Sequence, residues 1–251
     1  MPDPVRIALL YPAVLGTYGD GGNAVVLTER LRWRGFDAET VPVEIDQPLP
    51  DQADIYVLGG GEDSAQTLAV SRLADGSLHR AADRGAPVFA VCAGFQILGE
   101  TFLVGDGEVH PGLGLLDCTT DRLTGTRAVG ELLVDSALDG VGVLTGYENH
   151  GGRTVLGSAA TPLGAVSAGV GNGDGEVDGA VQGNVVATYL HGPALARNPA
   201  LADHLLKQVV GDLTPIDDAD VAELRNERLR AVRSAARGVR RKQWRPPARD
   251  S

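Results

Sequence analysis

The sequence predicts an α/β protein: a three-layer sandwich with a mostly parallel sheet and added hairpins. Three observations carry this expectation. Short apolar runs alternate with helix-patterned segments through the first part of the chain, the order of a parallel sheet covered by helices. The run Pro87-Val-Phe-Ala-Val91 leads into Cys92 and then into a helical pattern, so a thiol sits on a strand-to-helix turn. Beyond Thr101 glycine becomes frequent and segments become short, which suggests hairpins attached to the parallel core.

Each element follows from local pattern. Residues 6–11 read as the first strand, and residues 16–23 as a polar, glycine-rich loop. Residues 24–34 carry apolar side chains at helical spacing and stop at Gly35. Strands are expected at 36–45 and 54–58, then a turn at Gly59-Gly60-Gly61. A helix over 62–84 breaks near Asp75-Gly76, and the fourth strand runs 87–91. The short segments 132–134, 143–147, 177–181 and 185–190 read as strands, and 199–210 as a helix packed back on the sheet. A first domain over 1–212 is followed by a basic tail over 213–251, with a helix over 217–236 and a disordered Arg-rich end.

Composition narrows the class. The chain has 251 residues, 43% apolar and 22% charged, enough for a sizeable core. Cys92 and Cys118 are the only cysteines, so a disulfide framework is not expected and a reducing cytoplasm is. The N-terminus shows no signal-peptide pattern, and no apolar run approaches the ~18 residues of a membrane span. The net charge of -11 argues against a general nucleic-acid binder. From residue 221 onward ten Lys or Arg face three Asp or Glu, so this end carries +7 and residues 1–220 carry -18. Such a tail is either a solvated helix or a contact for an acidic partner or anionic membrane face.

Candidate chemistry gathers at strand ends, where open α/β sheets bind ligands. On the turn, Cys92 meets the N–H groups of the following helix, which favour a thiolate; the alternative is a buried core cysteine. His191 follows the 185–190 segment and can serve as general base and then general acid, or as a structural histidine. Backbone N–H groups of Gly60, Gly61 and Ala93 can face a tetrahedral oxyanion; a plain turn is the alternative. The Gly19-Asp-Gly-Gly-Asn23 loop lacks the Gly-Lys-Ser/Thr ending of a phosphate loop, and is expected to be a helix start capped by Asp20 or Asn23. Gln96 belongs to the elbow and either contacts substrate or packs. Glu148, Asn149 and His150 are expected after a strand and near the pocket, with His150 the second choice as base. His79 and His110 fall in a helix and a loop and are read as structural or exposed, and Cys118 as packing. No His/Cys cluster has metal-ligand spacing.

Gly59-Gly-Gly61, Val91-Cys-Ala-Gly-Phe-Gln96 and Tyr189-Leu-His-Gly192, in this order, resemble the class I (triad-type) glutamine amidotransferase domain. Gly146-Tyr-Glu-Asn-His-Gly-Gly-Arg153 narrows the resemblance to the cobyric-acid-synthase-like branch. With Tyr189-Leu-His-Gly-Pro193 it is most similar to GatD-type glutaminase subunits of lipid II isoglutaminyl synthase. The resemblance covers residues 5–212 and implies a flavodoxin-like fold. It implies that Cys92 and His191 hydrolyse L-glutamine through a thioester. The ammonia passes to a Mur-ligase-like (MurT-type) synthase subunit, which binds ATP and Mg and amidates the D-glutamate of lipid II to D-isoglutamine. This chain itself needs no cofactor. A cytoplasmic heterodimer serving peptidoglycan synthesis, cell wall biogenesis and cell shape follows. Arg127 aligns with an arginine that holds glutamine in this branch, with Arg122 the competitor and a surface arginine the alternative. One departure stands out: many class I enzymes carry a glutamate two positions after the histidine, where this chain has Pro193. The branch also lacks it and is thought to borrow a partner carboxylate. The rival functions are a glutaminase module for cobyrinate-type amidation, a cysteine hydrolase on the same fold, and a non-catalytic interaction protein.

Overall fold

The structure, a computed structural model, describes residues 3–105 and 107–243, with 236–243 as backbone only. The core is built from β1 (Val5–Leu10), α1 (Gly22–Arg32), β2 (Ala38–Val43), β3 (Ile55–Leu58), α2 (Asp63–Leu73), α3 (Ser77–Asp83), β4 (Val88–Val91) and α4 (Ala93–Leu98). Then come β5 (Thr101–Val104), β6 (Glu108–Pro111), β7 (Cys118–Arg122), β8 (Ala128–Ser136), β9 (Val143–His150), β10 (Gly152–Leu156), β11 (Gly164–Ala168) and β12 (Val177–Asp178). The chain returns through β13 (Ala180–Gln182), β14 (Val185–Thr188), α5 (Ala194–Arg197) and α6 (Pro199–Val210), and continues into α7 (Ala219–Gln243).

The main sheet has six strands in the order β13-β14-β4-β3-β1-β2. Its pairs are parallel apart from the β13–β14 edge. The runs Ile-Tyr-Val-Leu of β3 and Val-Phe-Ala-Val of β4 are buried at every position, as befits central parallel strands covered on both faces. Helix α1 packs on β1, β2, α5 and α6, while α4 packs on β4 and α2. Two four-stranded sheets, β10-β7-β5-β6 and β12-β11-β8-β9, form the expected hairpin additions.

Four neighbouring strands point their carboxyl ends the same way. Thr188 lies opposite Val91, Ala90 opposite Leu58, and Leu58 opposite Leu10. The segments after β14, β4, β3 and β1 therefore emerge side by side. These are the segments holding His191, Cys92, Gly59–Gly61 and the 16–21 loop.

Several expectations change. The expected 177–181 strand splits at Gly179, whose φ of +71° suits glycine, and its halves join different sheets. Strand β9 reaches His150, so Glu148, Asn149 and His150 lie within a strand rather than after one. His110 lies in β6 rather than in a loop. Neither Asp20 nor Asn23 caps α1: Gly21 holds the cap position with no side-chain bond, because both polar side chains are drawn inward. The basic helix runs past 236 to Gln243, and the rest of the Arg-rich end expected to be disordered lies outside the described residues. Burial of Leu229 holds this helix to the body, and Arg30, almost wholly buried, forks to Asp203 of α6 and Asp218 just before α7.

Candidate active site

The elbow forms because β4 ends where α4 begins, with one residue to turn the chain. Cys92 takes φ +53° and ψ -107°, a strained conformation for a residue with a Cβ. Its N–H donates to Thr188 O (2.9 Å), tying the elbow to the β14 end. Gly94 is required here: a Cβ would lie 2.9 Å from Gly59 O and 2.9 Å from Leu58 Cβ. Cys92 is 6% exposed.

His191 arrives beside it. Its backbone pairs with Tyr147 of β9 in both directions, and its ring is buried. Gly60 lies between the two: a Cβ on Gly60 would be 2.8 Å from His191 Cε1 and 3.4 Å from Cys92 Cβ. The structure thus brings together Cys92, His191 and the glycine turn, as read from the sequence.

It also brings in a residue that the sequence reading assigned elsewhere. Asp20 is fully buried, and its Oδ2 lies 2.9 Å from His191 Nδ1. A carboxylate oxygen only accepts, so Nδ1 carries the proton and Nε2 is left as the exchangeable nitrogen. Among the described residues Nε2 has no hydrogen-bond partner. Burial pulls the His191 pKa down, but the Asp20 hydrogen bond and the Cys92 side chain outweigh it and carry the pKa to about 9. Asp20 Oδ2 also accepts the Gly60 N–H at 2.9 Å. That commits one of the three expected oxyanion donors to the carboxylate. The amides of Gly61 and Ala93 have no acceptor among the described residues. Tyr18, from the same loop as Asp20, sets its ring edge against His191 at 4.7 Å.

The other candidates sort by their partners. Arg127 donates to Asn149 Oδ1 (2.6 Å) and Asn149 O (3.0 Å), and Asn149 Nδ2 donates to Tyr18 Oη (2.7 Å). A chain of contacts thus runs from Arg127 to the catalytic-histidine candidate. Arg127, Arg122 and Gln96 share a cleft of about 300 Å³ with Asp63, Asp121 and Gly152; Cys92 and His191 do not line it. Gln96 is held at both ends, accepting from Gln66 (2.5 Å) and donating to Tyr189 Oη (3.1 Å). Arg122 bonds Gly105 O. His150 stacks on Tyr189 at 3.8 Å and bonds Gly152 O, facing Glu148 and not Cys92. Glu148 accepts from Val170 and Gly171 and pins their turn. Cys118 is buried, and desolvation pushes its thiol up to about 12. Among the described residues no group of His, Cys, Asp or Glu could hold a metal ion.

Residues 6–199 match the CobB/CobQ-like glutamine amidotransferase domain. The chain belongs to that family. Over 198 residues it is 36% identical to the lipid II isoglutaminyl synthase (glutamine-hydrolyzing) subunit GatD of Staphylococcus aureus, covering 77% of this chain and 79% of that one. Over 165 residues it is 37% identical to a probable cobyric acid synthase of Methanoregula boonei, covering 61% of this chain but 32% of that protein. A crystal structure of a glutamine amidotransferase superposes with a TM-score of 0.57 at 21% identity, covering 81% of this chain and 98% of that one, which supports the fold. As an amidotransferase of this family, the chain carries its elbow cysteine on the expected sheet. The signal for Asp20 was present, though unused: an acid in a glycine-rich loop directly after a strand of the parallel sheet.

Proposed function

We propose that this amidotransferase is the glutaminase subunit of a lipid II isoglutaminyl synthase. The observation that carries the reading is the similarity to the S. aureus subunit over about four-fifths of both chains. The juxtaposition of Cys92, Gly60 and His191 supports the chemistry. The cobyrinate-type alternative is less favoured, because the chain spans only 32% of its cobyric acid synthase relative.

In this reading the Cys92 thiolate attacks the side-chain carbonyl of L-glutamine, forming a C–S bond and a tetrahedral oxyanion. The amides of Gly61 and Ala93 stabilise that oxyanion. The imidazolium Nε2–H of His191 gives its proton to the departing nitrogen, the C–N bond breaks, and ammonia leaves a glutamyl thioester. Water attacks the thioester with neutral His191 as base, and glutamate and Cys92 are released. Arg127 pairs with the substrate α-carboxylate, and Gln96 shapes the wall of that subsite. The ammonia passes to a Mur-ligase-like partner in a cytoplasmic heterodimer. ATP and Mg bound there drive amidation of the lipid II D-glutamate, which serves peptidoglycan synthesis and cell shape. In this reading the amidotransferase domain spans 1–212, and the basic tail over 213–251 is appended to it.

The test is ATP-dependent lipid II amidation by this chain with a candidate synthase and glutamine as the only nitrogen donor. The expected result is amidation with the wild type and none with Cys92→Ser, while free ammonia restores amidation in the variant. Amidation by Cys92→Ser from glutamine would overturn the reading.

A further inference from the structure

We propose, on the glutaminase reading, that Gln66 is a positioning residue for glutamine: it turns the Gln96 amide so that an N–H, and not the carbonyl, faces the subsite beside Arg127.

The placement begins with two helices. α2 starts at Asp63, just after the Gly59–Gly61 turn, and α4 starts at the residue after Cys92. The two helices pack on each other. Gln66 stands in the first turn of α2 and is 2% exposed. A buried amide needs partners, and its Nε2 donates to Gln96 Oε1 at 2.5 Å. Gln96, one turn beyond Cys92, is the single residue of α4 that is not buried. It lines the cleft with Arg127, whereas Gln66 stands behind it and does not.

With Oε1 turned to Gln66, Gln96 Nε2 donates to Tyr189 Oη at 3.1 Å. Tyr189 is itself immobilised. Its hydroxyl also bonds Thr154 Oγ1 (2.7 Å), Thr154 bonds Thr120 (2.9 Å), and His150 stacks on its ring at 3.8 Å. Gly152, another cleft residue, lies against the amide: a Cβ there would be 2.3 Å from Gln96 Nε2. The amide nitrogen is therefore at the cleft wall. It has two N–H groups, and Tyr189 takes one. The other suits the α-carboxylate that Arg127 grips, where a carbonyl oxygen would repel it. Without Gln66 the amide is free to turn over, with Tyr189 donating to its oxygen instead, and the donor is lost from the subsite.

The test is a kinetic cycle on the complex with its synthase. Glutamate release from glutamine is measured for the wild type, Gln66→Met, Gln96→Met and the double variant. Methionine keeps the length of the side chain without the amide. The expected result is a KM for glutamine raised about tenfold in each single variant, with kcat within a few-fold. The double variant should rise no further than Gln96→Met alone, because Gln66 acts through Gln96. Wild-type KM in Gln66→Met would overturn the proposal. So would a fall in kcat at unchanged KM, or a double-variant rise equal to the product of the single ones. Should Gln66→Met fail to fold, Gly152→Ala takes its place, since its methyl first meets side-chain atoms: Gln96 Nε2, Thr120 Cγ2 and Tyr189 Oη. A raised KM there supports the proposal. An unchanged one means that the position of the Gln96 amide is immaterial, and overturns it. A wild-type complex that releases no glutamate overturns the glutaminase reading and the proposal with it. Wild-type KM in Gln66→Met overturns the proposal and leaves that reading standing.

Discussion

At the residue scale, the two arginines of the cleft separate by how they are held. Arg127 is fixed by Asn149, which also bonds the tyrosine lying against His191. Among the described residues Arg122 hydrogen-bonds the Gly105 carbonyl and has no side-chain partner in that chain of contacts. A guanidinium pre-set by a neighbour loses little entropy on gripping a carboxylate. Arg127→Ala should therefore raise KM for glutamine about tenfold or more with kcat within a few-fold, while Arg122→Ala should change KM less than about threefold. Steady-state kinetics on both variants decide between them, and equal effects would remove Arg127 from its role. Cys92 was legible in the sequence because every feature that makes it an elbow lies within a few residues of it. Asp20 was not, because its partner stands 171 positions away and a glycine-rich loop before a helix has a cheaper local explanation as a cap.

At the scale of elements, the elbow depends on close approach between β3 and α4. The fully buried β4 strand delivers Cys92 only if α4 starts hard against the β3 turn, and Gly94 N–H donates to Gly59 O at 3.1 Å across that gap. Gly59 meets the same crowding: a Cβ there would lie 2.0 Å from Leu15 O. Gly94→Ala must push backbone apart, since both atoms it would strike belong to the β3 end. It should cost about 1–3 kcal/mol of stability and most of the glutaminase activity, read by thermal unfolding and by glutamate release. A variant with wild-type activity would show that the elbow tolerates a shift that this account forbids. The parallel core was legible because its central strands β3 and β4 are short and wholly apolar and most of its strands are separated by helical periods. The hairpin region was legible only in outline. Gly179 breaks one apolar run into strands of two different sheets, and a period-two pattern does not say which neighbour a strand chooses.

At the scale of the whole molecule, buried ionisable groups set the response to pH. Burial raises the Asp178 pKa to about 6, against the lowering effect of its hydrogen bonds from Thr188 and Tyr189 and of nearby His150; Glu148 adds to the rise. The folded state therefore binds more protons than the unfolded chain between about pH 4 and 6, and stability falls as pH rises through that window. His191 acts with the same sign higher up. Its contribution is complete below the ordinary histidine pKa and is lost as pH rises through about 9. Asp178→Asn should flatten the lower fall, on the order of 2–3 kcal/mol, and leave the upper one in place, as measured by denaturant unfolding at a series of pH values. An unchanged slope between pH 4 and 6 would mean that another group titrates there. Above these details stands the claim that this chain breaks an amide through sulfur 92. The most direct measurement is the intact mass of the protein, quenched in acid during glutamine turnover. The account predicts a glutamyl adduct on Cys92 that disappears on chasing with buffer and never forms in Cys92→Ser. Turnover with no adduct on Cys92, or with one on another residue, would contradict it.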